Sequence, residues 1–346
     1  MKELRAGIVG MGKMGLLHAS ILNSIDGIKL SAIADTEKIV SGFLKKKLHV
    51  VNVYEDYKDM IEKEDLDFVF ITTPVNSHIP IASFCAQKKI HFFIEKPLAK
   101  STSECISLIE IIKKNNTKSM VGFCLRYVET FAKAKELLDR DTIGKITNIK
   151  STVYQSQLGK KGTGWRFQKS LSGGGVLMDL GSHLIDLLMW YFGDIETVEG
   201  KTEVSQSDEL ENSVNVAIKF KNGLPCIFEA SRIVQNYRLQ ETTIEVQGEY
   251  GDLKVNEDYV KLSFNSLGTQ RGMKNEIFYR QSLSKGMIID IAGTEYTKED
   301  LEFIRSITEG VESPLSVINS SKTQSVIDSI YQSAKNSTVE RVAYIA

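Results

Sequence analysis

The 346-residue chain has no excess of charge of either sign: 43 Lys and Arg stand against 44 Asp and Glu, a formal net charge of −1. Without a basic field there is nothing to gather a polyanion, so neither nucleic acid nor an anionic membrane is an expected partner. Cysteine is scarce and scattered. Cys85, Cys105, Cys124 and Cys226 form no C-x-x-C pair and mostly lie in apolar runs, so they read as structural thiols in a reducing cytoplasm, not as a disulfide or metal framework. There is also no long apolar run free of polar groups. The longest such tract, GVLMDLGSHLIDLLMWYF over 175–192, carries Asp179, His183 and Asp186, which are costly in hydrocarbon. The opening MKELRAGIVG lacks a signal-peptide core with a cleavage site, and no internal repeat or low-complexity segment is present.

What is there suits two globular domains, with 42% hydrophobic residues to bury. The first part alternates short β-rich runs with helical patterns, the signature of a doubly wound parallel sheet. AGIVG (6–10), IKLSAIAD (28–35), VVNVY (50–54), LDFVFITTP (66–74), IHFFIEKP (90–97) and KSMVGFCLRY (118–127) read as strands. Between them GLLHASILNSI (15–25), SGFLKKKL (41–48), YKDMIEKE (57–64), NSHIPIASFCAQKK (76–89) and STSECISLIEIIKKNN (101–116) read as helices, the last opening on a capping box of Ser101 and Glu104.

Beyond about residue 125 the pattern changes to an α+β domain with an open, mostly antiparallel sheet. A helix at 128–140 leads to the strands KITNIKSTVYQSQ, VNVAIKFKNGLPCIFEASRIV and TTIEVQGEYGDLKVN, with hairpin turns at Asn222-Gly223 and near Gly251. A helical tract begins at GGGVLMDLGSHLIDLL, between the first two of these. The chain ends in helices at 297–310, capped by Thr297 and stopped at Gly310, and at 316–336. The expected division is therefore residues 1–124 and 125–346.

Gly10, Gly12 and Gly15 lie between the first strand and first helix, and the second strand ends at Asp35, twenty residues after Gly15. In a Rossmann unit such glycines allow a tight turn, close approach to a pyrophosphate and close helix–strand packing, and the acid binds the ribose hydroxyls. A carboxylate at Asp35 repels a 2′-phosphate, and Thr36, Glu37 and Lys38 supply no arginine clamp, which favours NAD over NADP.

Two further tracts carry chemistry. Lys96 follows a fully apolar strand and is restricted by Pro97, so it is aimed rather than free. Asp179, His183 and Asp186 share one face if the tract is a regular helix, and a carboxylate beside an imidazole can orient it and raise its basicity. A core histidine satisfied by a neighbouring acid is the plainer reading of the same spacing. Nothing in the tract requires a metal.

At these tracts, and in GIVGMGKMGLLHA, ITTPVNSH, IEKPLA, GFCLRY and VIDSIYQSA taken in order, the chain resembles the Gfo/Idh/MocA oxidoreductases, the family of glucose-fructose oxidoreductase and inositol dehydrogenase. The resemblance implies an N-terminal NAD(P)-binding Rossmann domain and a C-terminal domain that binds substrate and builds homodimers or homotetramers. Lys96 matches the lysine of the family's E-K-P motif, which contacts substrate hydroxyl and nicotinamide ribose. Asp179 and His183 match its acid and histidine, with His183 as proton acceptor. Thr73, Pro74, Asn76 and His78 match the loop lining the nicotinamide, Glu95 a cofactor-contacting residue, and Lys13 and Met14 belong to the phosphate turn. Arg126 either lies near cofactor or substrate or is a salt-bridged residue at the domain junction. Trp165 and Arg166 either contact the sugar or pack a loop.

The implied reaction is NAD-dependent oxidation of a secondary hydroxyl on a sugar, sugar derivative or cyclitol. Two alternatives stand beside it: a relative that retains its NAD and cleaves glycosides or passes hydride between sugars, and a catalytically inactive NAD-responsive binding protein.

Overall fold

The computed structural model describes residues 3–37, 52–157, 164–204, 209–284, 286 and 289–345. The chain begins with β1 (Leu4–Val9), α1 (Lys13–Leu22), β2 (Ile28–Ala34), β3 (Asn52–Tyr54), α2 (Tyr57–Lys63), β4 (Phe68–Ile71), α3 (His78–Gln87), β5 (His91–Glu95), α4 (Thr102–Asn115) and β6 (Ser119–Gly122). It continues with α5 (Glu129–Asp139), β7 (Ile146–Tyr154), α6 (Ser182–Phe192), β8 (Ile195–Glu203), β9 (Ser213–Phe220), β10 (Pro225–Ser231), β11 (Glu241–Gly248), β12 (Gly251–Val255), β13 (Tyr259–Phe264) and β14 (Glu276–Tyr279). Helices α7 (Thr294–Thr308) and α8 (Val317–Asn336) and the short β15 (Glu340–Arg341) close it. Two compact units result: Met1–Cys124 with Ile288–Ser321, and Leu125–Met287 with Lys322–Ala346.

The first unit is built on a six-stranded parallel sheet of order β3-β2-β1-β4-β5-β6. Strand order reverses between β1 and β4, the crevice where open α/β sheets bind ligands. Every residue of β4 is fully buried, as a parallel strand covered on both faces requires. Phe70 stacks on Phe93 at 4.6 Å, and Phe303 of α7 meets Phe68 and Phe70 edge-on at 5.7 and 5.6 Å. Beyond α7, Val121 donates to the Leu315 carbonyl at 2.8 Å and Val317 N to Ser119 Oγ at 3.3 Å. These contacts place residues 288–321 in the first unit, where the division expected from sequence puts them in the second.

Local expectations also shift. The run 118–127 is strand only to Gly122, after which Cys124–Tyr127 forms a 3-10 turn. The capping box of α4 does not form: Ser101 Oγ contacts Ser103 Oγ, and Glu104 reaches past Ser101 to the Lys100 N–H at 3.0 Å. Helix α7 starts at Thr294, so Thr297 is a buried residue within it and not its cap; Gly310, at φ +69°, follows its end. The helix expected at 41–48 lies outside the described residues.

The second unit carries a nine-stranded sheet, β14-β13-β12-β11-β7-β10-β9-β8-β15. Neighbours run antiparallel except β7 and β10, which are parallel. β9 shows the alternation that leaves one face open, burying Val214, Val216, Ile218 and Phe220 while exposing Asn215, Ala217 and Lys219. Asn222-Gly223 makes the β9–β10 turn, with Gly223 at φ +87° and Asn222 Oδ1 accepting from Leu224 N. Strands β8, β13, β14 and β15 are additions to what the sequence leads one to expect. Among the described residues no helix is long and apolar enough to cross a membrane, and all four cysteines are buried and unbridged.

Candidate functional site

In the first unit, the three glycines of the β1–α1 turn have distinct duties. Gly10 adopts φ +93°, and a Cβ there would lie 2.9 Å from Thr73 Cγ2. A Cβ on Gly15 would sit 2.0 Å from the Gly10 carbonyl oxygen, so helix and turn touch through that position. Gly12 is exposed, and a Cβ there meets nothing within 4 Å. It is also the N-cap of α1, whose end has no capping side chain and no acid in its first turn. The first turn of α1, which starts at Lys13 and Met14, thus carries the positive end of the helix dipole with no acidic side chain of its own to offset it. A helix end of this kind can take a pyrophosphate.

Thr72 locks the turn by donating to the Gly10 carbonyl at 2.5 Å and the Val9 carbonyl at 3.1 Å. Asp35, directly after β2, accepts from Met11 N at 2.6 Å and Glu37 N at 2.7 Å. Its carboxylate is thus fixed beside the turn, and each oxygen keeps a lone pair for a ribose hydroxyl. Glycines, helix end and acid together fit a dinucleotide.

The loop after β4 and the turn after β5 are braced by His78. Its ring is buried, with Nδ1 2.9 Å from the Pro97 carbonyl and Nε2 2.9 Å from the Thr73 carbonyl, and burial lowers its pKa. It is a strut between the two loops, while Thr73, Pro74 and Asn76 are half-buried. Glu95 points inward: Oε1 accepts from His18 Nε2 at 3.2 Å and Oε2 from the Lys96 N–H at 3.0 Å. Lys96 is half-buried at the carboxyl end of the sheet, before a cis bond to Pro97.

In the second unit, the glycine tract is packed too tightly for side chains. A Cβ on Gly174 would lie 2.0 Å from Tyr331 Oη, and one on Gly175 would lie 2.2 Å from the Glu211 carbonyl oxygen. The buried Glu211 carboxylate accepts from Gly175 N at 2.9 Å, Leu177 N at 3.1 Å and Tyr331 Oη at 2.7 Å. A negative charge thereby sits at the N-terminus of the helical tract bearing Asp179 and His183.

That tract opens with a π-helical turn, Leu177–Gly181, before α6. The wider turn breaks the regular phase on which a single Asp179–His183–Asp186 stripe depends. The two acids accordingly have separate partners. Asp179 Oδ2 accepts from the buried Arg232 at 2.5 Å, and Arg166 Nε lies 3.8 Å from Oδ1. Asp186 is held by Arg126, with both contacts at 2.7 Å, so Arg126 is a salt-bridged residue. Burial pushes the Asp186 carboxyl upward, against the pull of that guanidinium. His183, at the second position of α6, is buried.

Trp165 and Arg166 form a 3-10 turn with Phe167. The Arg166 guanidinium stacks over Trp165 at 4.8 Å, and that of Arg232 over Phe167 at 5.3 Å. Arg232, Glu211 and His18 are the residues that sequence reading passes over. Only the lone arginine after the apolar strand ending at Ser231 leaves a local trace.

Two family profiles match the chain. Residues 4–123 match the oxidoreductase family with NAD-binding Rossmann fold, and residues 131–254 match the GFO/IDH/MocA C-terminal domain. The chain is 30% identical over 256 residues to myo-inositol 2-dehydrogenase of Thermotoga maritima, covering 72% of this chain and 74% of that one. It is 26% identical over 303 residues to levoglucosan dehydrogenase of Pseudarthrobacter phenanthrenivorans, 77% of each. Against the solved structure of levoglucosan dehydrogenase with NADH and levoglucosan, the TM-score is 0.88 at 25% identity, covering 99% of this chain and all of that one.

Proposed function

From the premise that this chain belongs to the Gfo/Idh/MocA oxidoreductase family and binds NAD in its Rossmann unit, we propose that it oxidises a secondary hydroxyl of a sugar, sugar derivative or cyclitol. The observation that carries this reading is the placement of Lys96. It is the first residue after a buried strand at the ligand-binding end of a parallel sheet, and its main chain is pinned by Glu95.

NAD, when bound, supplies the acceptor for the carbinol hydride. Gly10, Gly12, Lys13, Met14 and Gly15 hold its phosphates, Asp35 its adenosine ribose, and Thr73, Pro74 and Asn76 line the nicotinamide end. His183 takes the hydroxyl proton on a ring nitrogen, and the Lys96 ammonium stabilises the forming alkoxide. Asp179, itself held by Arg232 and flanked by Arg166, sets the charge on the helical turn before His183 and contributes to sugar binding with Trp165 and Arg166.

The names of the relatives, inositol and levoglucosan dehydrogenases, support a polyol or sugar as substrate. The test is a panel of inositols, free sugars, anhydrosugars and amino-sugar derivatives with NAD and with NADP, read as reduced-nicotinamide absorbance. Net NADH from one substrate class supports the reading. Glycoside release without net NADH replaces it with the cofactor-retaining alternative. No turnover of any kind, with NAD bound, overturns it in favour of a binding protein.

The half-open sheet of the second unit supports self-association into a homodimer or homotetramer through its exposed face, which carries Ile227 at 46% exposure. Light scattering at working concentration checks this, and a monomer refutes it.

A further inference from the structure

His18 lies on α1, three residues beyond Gly15, and its ring is completely buried between Phe70 and Phe93, 5.1 Å from each centroid. Both of its nitrogens face carboxylates. Nδ1 is 2.9 and 3.0 Å from the two oxygens of Asp300 on α7, and Nε2 is 3.2 Å from Glu95 Oε1 at the end of β5. The second oxygen of Glu95 accepts the Lys96 main-chain N–H at 3.0 Å. An ionised carboxylate only accepts, so the ring satisfies both neighbours only as imidazolium. Burial opposes that charge, but Asp300 and Glu95 outweigh it and raise the His18 pKa well above its ordinary value.

A third acid, Glu299, is buried beside the pair, and neither of its oxygens has a hydrogen-bond partner among the described residues. Burial, and after it the charge of Glu95, push its carboxyl well above the ordinary range. Ligand atoms of His18, Glu299 and Asp300 lie within 4.8 Å of one another. Both nitrogens of His18 are nevertheless already engaged at hydrogen-bond distance, so a proton is the cation this cluster shares.

A buried charge triad is poor value for stability alone, since apolar residues of similar volume do as well. What this one provides is alignment: α1, α7 and β5 converge on a single peptide group, the N–H of Lys96.

We propose that Asp300, His18 and Glu95 form a relay of ion pairs that fixes the main chain of Lys96, making His18 and Asp300 positioning residues for the oxidation. This rests on the role assigned to Lys96 above. Misplacement of a reacting group by about 1 Å costs on the order of 100-fold in rate. Loss of the relay therefore lowers kcat while leaving the phosphate cradle alone.

The test uses the full-length enzyme with NAD and its best substrate. Asp300→Asn keeps volume and hydrogen-bond acceptance but removes the charge. Its expected result is a kcat about 10- to 100-fold lower, with NADH affinity by fluorescence within twofold and substrate KM little changed. The double variant Asp300→Asn/Lys96→Met is expected to be no slower than Lys96→Met alone, because the relay acts only through Lys96. His18→Gln, which keeps one donor, serves as second variant if Asp300→Asn does not fold, with the same expectations.

Unchanged kcat with a lowered melting temperature makes the cluster a structural brace only and overturns the proposal. So does a double variant slower than Lys96→Met, or a stoichiometric metal ion in the purified protein that His18→Gln loses. If Lys96→Met alone keeps full activity, the functional reading fails first, and that failure is distinguishable.

Discussion

Arg126 and Asp186 form a bidentate pair, Nε to Oδ2 and Nη2 to Oδ1, both at 2.7 Å, with the carboxylate almost wholly buried and the guanidinium lying 5.6 Å from the Trp190 ring. Removing one partner strands the other. Arg126→Met is expected to lower unfolding free energy by about 3–5 kcal/mol, and Arg126→Met/Asp186→Leu to recover most of that loss. Urea unfolding of the three proteins checks it; a double variant as unstable as the single one refutes it.

Lys96→Met and His183→Asn are each expected to reduce kcat by about 100- to 10,000-fold, the range for a lost electrostatic stabiliser or proton acceptor. NADH affinity is expected to stay within a few-fold. A collapse of cofactor binding in either variant would mean that the residue holds the dinucleotide and does not act on the substrate.

The glycines of the first turn separate stability from binding. Gly15→Ala drives a Cβ into the Gly10 carbonyl at 2.0 Å, so the turn must open and the melting temperature falls. Gly12→Ala meets no protein atom, so the fold is kept while the approach of the pyrophosphate is blocked and NAD affinity drops about 10-fold or more. Paired calorimetry and cofactor titration distinguish the two; equal effects on both quantities would contradict the division of duties.

Asp35→Ala removes an acceptor that two N–H groups hold in place. Hydrogen bonds to a charged group contribute about 1.5–3 kcal/mol, so NAD affinity is expected to fall roughly 10- to 100-fold. NADP loses its like-charge repulsion and gains relative to NAD. An unchanged NAD/NADP ratio would show that Asp35 does not face the ribose.

Stability has a pH component at Glu257. Burial raises its carboxyl from 4.5 to about 7, opposed by the Thr242 N–H that its two oxygens accept at 2.9 and 3.0 Å. The folded state thus binds this proton more tightly than the unfolded chain. Its contribution is full below pH 4.5 and is lost as pH rises to about 7. Glu257→Gln is expected to flatten the melting-temperature profile across that window; a profile identical to the parent's assigns the dependence elsewhere.

Much of the first unit is legible because its signals are local. Fully apolar runs mark buried parallel strands, and the glycine spacing marks the β1–α1 turn, to which Asp35 is hydrogen-bonded through Met11 N. What escaped reading is what depends on distant partners. An amphipathic helix such as α7 carries no mark of which unit it will cover; Phe303 against Phe68 and Phe70, and Asp300 against His18, tie it to the first. β8 is missed because its half-polar run, IETVEGKTE, alternates only in part.

The candidate site shows the same limit. Asp179 and His183 stand out as residues, but their phase depends on a π turn, and the arginine that claims Asp179 lies 53 positions away. The Ser101 box fails for a smaller reason: Glu104 finds the preceding N–H first.

The closure of the first unit by Phe303 and Asp300 bears on how the protein is made. Domains generally fold as units during synthesis, the N-terminal one first. Here the parallel sheet leaves the ribosome with a gap where α7 belongs, and residues 125–287 emerge before the segment that fills it. Neither unit is therefore complete until the C-terminal part of the chain has been made: residues 288–321 close the first, and residues 322–346, with β15 paired to β8, close the second.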